Sequence, residues 1–147
     1  MPLDVTQAAH HVVLIRIDNQ PKRNAMSRTM MAELAAIWER LGASDDCRCI
    51  IITGAGDRAF CAGADIGDDL SAPEQTARMV DRALLKTKPY SKPIIAAVNG
   101  DCAGGGVELL PQGEAVVERA QDVDPGHALG HRHPPRGGAR RDHEAVV

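Results

Sequence analysis

A chain of 147 residues has room for one domain of ordinary size. Hydrophobic residues make up 44 %, enough for a core, and a single Trp, Tyr and Phe make that core aliphatic. A net charge of -3 gives no reason to expect nucleic acid or an anionic membrane as a partner, and no stretch approaches the ~18 apolar residues of a membrane helix.

The N-terminus, Met1 to Gln7, carries Asp4 and lacks a basic-then-apolar export pattern, so a cytoplasmic location is expected. His11 to Ile17 (HVVLIRI) is a β-branched run that reads as a strand ending in a turn at Asp18-Asn19. Pro21 to Ala25 is a polar connection. Ser27 is an N-cap for a helix whose Met30, Met31, Leu34, Ile37, Trp38 and Leu41 recur at helical spacing. Gly42 is the expected stop. Cys49 to Thr53 (CIIIT) is a continuous apolar strand, as expected with both faces covered, and Gly54 to Gly56 ends it. A loop from Asp57 to Asp69 leads to a mainly polar helix, Glu74 to Lys88, with Met79, Leu84 and Leu85 on its apolar side. Pro93 to Val98 is a third strand. Gly104-Gly105-Gly106 opens a helix carrying Val107, Glu108, Leu109 and Leu110. Strand and helix alternate three times, which predicts a layered α/β architecture with a largely parallel core.

The pattern stops at Pro111. From there to Val147 stand four of the nine Pro and no Lys, Ile, Met or aromatic residue, and no regular period survives. The expectation is a 1–110 core followed by a poorly packed or disordered 111–147 tail. The cysteines Cys47, Cys49, Cys61 and Cys102 form no CxxC pair and are expected as reduced thiols. No metal site is expected, since four of the six His lie beyond Pro111.

Two segments carry chemistry. Phe60-Cys61-Ala62-Gly63-Ala64-Asp65-Ile66 follows an apolar strand, and its small residues let the backbone approach a ligand closely. Val98-Asn99-Gly100-Asp101-Cys102-Ala103-Gly104-Gly105-Gly106-Val107-Glu108 leads a strand through glycines into a helix N-terminus, where N–H groups are free. One N–H from each would make a two-donor oxyanion hole. Either segment alone reads first as a tight structural turn, and glycine-rich strand-to-helix turns are common in phosphate-binding folds as well. The pair, in this order and separated by a strand, is more specific.

Together with Arg23-Asn24-Ala25, these segments resemble the crotonase superfamily of enoyl-CoA hydratases and isomerases, over roughly Leu3 to Leu110. The resemblance implies a spiral of ββα units, here incomplete, and a trimer or hexamer of identical chains. It implies acyl-CoA thioester substrates and a stabilised enolate, with no cofactor beyond the coenzyme A of the substrate. Residue by residue, it implies an oxyanion hole from the N–H groups of Ala64 and Gly105, and Glu108 as a catalytic carboxylate. Ala62, Asp65, Ile66 and Gly104 match positions lining the acyl-CoA pocket. Arg23 and Ala25 match the region beside the CoA nucleotide and pantetheine. Arg23 also reads as a solvated loop charge, and Glu108 as an exposed helix acid favoured by the N-terminal dipole.

The resemblance then fails. Where family hydratases carry a second glutamate, this chain reads Asp124-Pro125-Gly126-His127-Ala128-Leu129-Gly130. The later strands and pocket-closing helices are missing. A one-nucleotide shift of reading frame across Ala115 to Val123 permits a leucine run followed by basic residues, of a kind found later in the family. A natural divergent tail is the alternative. The expected reaction is hydration of a 2-enoyl-CoA to a 3-hydroxyacyl-CoA, weak or absent in this chain. Enoyl-CoA isomerisation and a non-catalytic fragment are the other readings.

Overall fold

A computed structural model of the chain describes residues 2–65, 73–87, 89–109 and 116–118. The elements run β1 (Leu3–Ala9), β2 (Val12–Ile17), α1 (Arg28–Ala43), β3 (Cys49–Gly54), β4 (Ala59–Cys61), α2 (Pro73–Ala83), β5 (Ile94–Val98), β6 (Asp101–Cys102), α3 (Gly105–Glu108) and β7 (Val116–Glu118), with a 3-10 turn at Gln20–Lys22.

A five-stranded sheet has the order β1-β2-β3-β5-β7, and a second, two-stranded sheet pairs β4 with β6. β1 and β2 form an antiparallel hairpin; the other three pairings of the large sheet are parallel. The parallel core follows from the Ile-rich runs. Ile15, Ile52 and Ala96 stand in register across three strands and are each 0 % exposed. Along β3, Ile50 and Ile52 are buried while Cys49, Ile51 and Thr53 are only half-buried, so one face carries the main core. Against it packs α1 through Met30, Leu34, Ile37, Trp38 and Leu41. Each such side chain contributes about 1.5–3 kcal/mol on full burial.

Ser27 does cap α1, its hydroxyl accepting from the Met30 N–H at 3.3 Å. Gly42, expected as the stop, lies inside the helix instead, which runs to Ala43. A Cβ there would stand 3.4 Å from the Tyr90 hydroxyl, so the small residue admits that ring. The true end is held by Ser44, whose N–H reaches the Leu41 carbonyl, and by Lys92, whose ammonium donates to the Leu41 and Ser44 carbonyls. Trp38 ties the layers together, donating to the Ala83 carbonyl of α2 at 2.8 Å, while Tyr90 donates to the Trp38 carbonyl at 2.7 Å.

Two further differences concern the edge strands β1 and β7. β1 lies in a stretch of mixed polarity where only Leu3 is fully buried; its ladder with β2, not its own pattern, makes it a strand. β7 lies beyond Leu110, in the segment expected to be irregular, and pairs with β5 through Ala96↔Val116 to Val98↔Glu118. The rest of 111–147 lies outside the described residues, as does Ile66.

Candidate active site

The first segment is assembled against the Arg23–Met26 stretch. The Ala62 N–H donates to the Arg23 carbonyl at 3.1 Å, the Met26 N–H to the Gly63 carbonyl at 2.8 Å, and the Asp65 N–H to the Met26 carbonyl at 3.0 Å. The last two bonds make a parallel bridge between Met26 and Ala64. In such a bridge the flanking residues supply the bonds, so the N–H of Ala64 itself is turned to the opposite side. Gly63 makes the bend at φ 100, a backbone region costly for residues with a Cβ.

The second segment arrives on that opposite side. β6 pairs with β4, Cys61 opposite Cys102, and the Ala103 N–H donates to the Cys61 carbonyl at 3.1 Å. Gly104 turns the chain at φ 52 into α3. A Cβ placed on Gly63 would stand 3.1 Å from the Gly105 nitrogen, and one placed on Gly105 would stand 4.0 Å from the Ala64 nitrogen. The two amides therefore share one place. Among the described residues, neither N–H donates a hydrogen bond, whereas those of Gly106 and Val107 bond back to Ala103 and Gly104. α3 is a single turn of four residues, so its dipole adds little; the paired N–H groups are what this site offers.

Glu108 closes the same turn, exposed, in an ion pair with Lys86. That partner was not foreseen, since nothing in the spacing of the two residues links them. Leu85 makes it possible: it sits at φ 54 just after α2, with the Lys86 N–H bonding back to the Asp81 carbonyl at 2.9 Å. The same turn brings the Leu84 methyl within 4.0 Å of a Cβ on Gly105.

The remaining expected residues spread around this centre. Ala62 is half-buried, and Gly104 is exposed beside Gly105. Asp65 pairs with Lys22. Arg23 is exposed, left-handed at φ 53, and 3.5 Å from Asp101. Ala25 is buried at 8 % exposure, its carbonyl accepting from Asn19 at 2.7 Å, so it has little surface for a ligand. An open cleft of about 530 Å³ lies over Asp18, Gln20, Arg23, Asn24 and Arg58; its lining does not include Ala64 or Gly105.

Cys61 and Cys102 flank the site and raise the question of nucleophilic catalysis. Burial pushes the Cys61 thiol up, partly opposed by a backbone hydrogen bond at Gly63. Burial and the neighbouring Cys61 push Cys102 up to about 11. A nucleophilic cysteine needs the opposite shift, so both read as packing thiols. All four cysteines are free. Among the described residues no group of three or more His, Cys, Asp or Glu is placed to hold a metal, and no helix is long and apolar enough to cross a membrane.

The structure is a mixed α/β fold in which two glycine-rich loops meet at the Ala64 and Gly105 amides. The chain belongs to the enoyl-CoA hydratase/isomerase family, whose sequence pattern matches residues 7–117. It is 40 % identical over 111 residues to the mevalonyl-coenzyme A hydratase sidH of Aspergillus fumigatus, covering 73 % of this chain and 41 % of that protein. It is 32 % identical over 123 residues to the mitochondrial Δ(3,5)-Δ(2,4)-dienoyl-CoA isomerase of Rattus norvegicus, covering 74 % and 37 %. The fold is that of the Bacillus anthracis enoyl-CoA hydratase, with TM-score 0.68 and 33 % identity over 74 % of this chain and 44 % of that one. The chain thus has the crotonase fold and spans about two fifths of the length of these curated relatives.

Proposed function

We propose that this chain carries the thioester-polarising part of an acyl-CoA site, built for addition of water to a 2-enoyl-CoA. The observation that carries the reading is the convergence of the Ala64 and Gly105 amides, neither with an acceptor among the described residues. A thioester carbonyl seated there would accept both N–H groups. As water adds at C3, the carbonyl oxygen gains charge, and two fixed donors stabilise the resulting enolate; losing one typically costs about 10²–10³ in rate. Glu108 would hold the attacking water and take its proton. Protonation at C2 completes the 3-hydroxyacyl-CoA. Coenzyme A enters as part of the substrate, with Arg23, Ala62, Asp65 and Gly104 along its path.

The full reaction needs more than these residues offer. The second glutamate of family hydratases is missing at its expected position, where Asp124 to Gly130 stand. In this reading the domain core ends near residue 110 and turnover is weak or absent. The intact site belongs to a trimer or hexamer in the cytoplasm. Isomerisation is the second reading, favoured by the likeness to the rat dienoyl-CoA isomerase and by the presence of one carboxylate, enough to move a proton between two carbons.

Loss of the conjugated-thioester absorbance of crotonyl-CoA tests the assignment. The purified chain should hydrate it negligibly. Turnover near the ~10 s⁻¹ of ordinary enzymes would overturn the incomplete-site reading, and Glu108→Gln should then abolish it.

A further inference from the structure

Two asparagines, Asn24 beside the first segment and Asn99 in the second, direct both side-chain N–H donors onto the same short turn. Asn24 is 1 % exposed. Its amide donates to the Ala55 carbonyl at 2.9 Å and the Ala59 carbonyl at 2.7 Å, and its oxygen accepts from the Asn19 N–H at 3.0 Å. Asn99 donates to the Gly54 carbonyl at 2.9 Å and the Gly56 carbonyl at 2.8 Å, and its oxygen accepts from the Gly54 N–H at 3.0 Å. An asparagine side chain has two N–H donors and one carbonyl, and both residues use all of them. No other side chain of this size offers that set: aspartate cannot donate, and serine has one hydrogen.

Their positions give the grip its consequence. Asn24 sits between Arg23 and Met26, whose backbones bond to Ala62, Gly63 and Asp65. Asn99 follows β5 directly, at the start of the stretch that leads through Asp101 to Gly105. The turn they share, Gly54 to Ala59, feeds β4 and then Ala64. The fit leaves no slack. A Cβ on Gly54 would stand 2.8 Å from the Asn24 amide nitrogen and 2.4 Å from the Ala59 carbonyl oxygen. One on Gly100 would stand 2.5 Å from the Arg58 carbonyl, which also accepts the Asp101 N–H at 3.0 Å.

We propose that Asn24 and Asn99 are positioning residues, a two-armed brace on the Gly54–Ala59 turn that sets the spacing of the Ala64 and Gly105 amides. This rests on the oxyanion-hole reading of those amides. A thioester oxygen needs both donors at about 2.7–3.1 Å, and the brace joins the segment carrying one donor to the segment carrying the other. Loss of one arm leaves the CoA-binding surface in place and moves one donor out of reach.

The test uses the whole chain and a p-dimethylaminocinnamoyl-CoA thioester. Its donor–acceptor absorption moves to longer wavelength when the carbonyl oxygen accepts hydrogen bonds, so it reads donor placement without turnover. The variants are Asn24→Asp and Asn99→Asp, each unable to donate to its two carbonyls, with folding verified by the near-ultraviolet signal of Trp38. Where Asn24→Asp fails to fold, Asn24→Gly, suited to the left-handed backbone there (φ 56), replaces it. The unsubstituted chain should show the shift on binding. Folded variants should lose most of it while their affinity for the thioester stays within about tenfold, because the contacts to the CoA part are untouched. An undiminished shift in folded variants would overturn the brace alone. No shift in the saturated, unsubstituted chain would overturn the oxyanion-hole reading, and the brace with it.

Discussion

The Ala64 nitrogen lies 4.0 Å from the point where a Cβ on Gly105 would stand, while a Cβ on the next residue, Gly106, would stand 2.2 Å from the Cys61 carbonyl oxygen. Adjacent glycines thus have different reasons to be small. At Gly105 the space in front is what a ligand oxygen would fill. At Gly106 there is no space, because α3 rests directly on β4.

Alanine should separate the two. Gly106→Ala must push α3 off Cys61, a backbone contact that cannot give way, and should cost about 1–3 kcal/mol. Gly105→Ala meets only contacts of 3.8 Å and beyond, so its stability should change by no more than about 0.5 kcal/mol. Its methyl should nevertheless block a thioester oxygen. Urea unfolding followed by Trp38 fluorescence gives the first comparison, and thioester binding gives the second. Equal destabilisation by both would contradict this account.

Glu108 should be dispensable for folding. Its pair with Lys86 is exposed on both sides, at 46 % and 41 %, and pairs of this kind contribute about 0–1 kcal/mol. Glu108→Gln should therefore unfold within about 1 kcal/mol of the unsubstituted chain. A larger loss would mark the carboxylate as structural.

Alkaline pH should weaken the fold through its thiols. Cys102 is raised from 9.0 to about 11 in the folded chain, so between these values the folded state holds a proton that the unfolded state has released. The stabilisation is complete below pH 9 and is lost as pH rises through about 11. Cys102→Ala should flatten that limb of the stability profile. At pH 7 both Cys102 and Cys61 should react slowly with iodoacetamide compared with a free thiol; fast alkylation of the folded chain would contradict their assignment as packing residues.

The family match extends to residue 117, and β7 closes the described sheet at Val116–Glu118. The boundary proposed near residue 110 is therefore open to a direct comparison. A chain ending at residue 118 keeps the β5–β7 pairing, and one ending at 109 exposes the β5 edge. If the core is complete at 110, the two should unfold at the same urea concentration. Clear destabilisation of the shorter chain would move the boundary past β7.

Long periodic elements were legible in the sequence. α1 announces itself through Ser27 and six apolar positions at helical spacing, β3 through Ile50-Ile51-Ile52, and β5 through the unbroken apolar run Ile94 to Val98. The short elements were not. β4 has three residues and β6 two, too few for any period, and each exists because the other pairs with it. Gly42 was misread because a helix stop and a close ring contact ask for the same small residue. The two glycine loops were visible as candidates, but their meeting depends on β4–β6 pairing, and the Lys86–Glu108 pair depends on a left-handed Leu85. Asn24 and Asn99 stood within the recognised motifs without a role, because their partners are backbone carbonyls that no side-chain pattern reveals.

In the proposed site the Ala64 and Gly105 amides act together on one thioester oxygen. Amide nitrogen and proton shifts of these two residues, followed while the labelled chain is titrated with crotonyl-CoA and separately with coenzyme A thiol, test it most directly. The account predicts that the thioester moves both proton resonances downfield together, with one binding curve, and that the thiol, which has no carbonyl to seat there, leaves them nearly in place. Equal responses to the two ligands, or a response at only one of the amides, would contradict it.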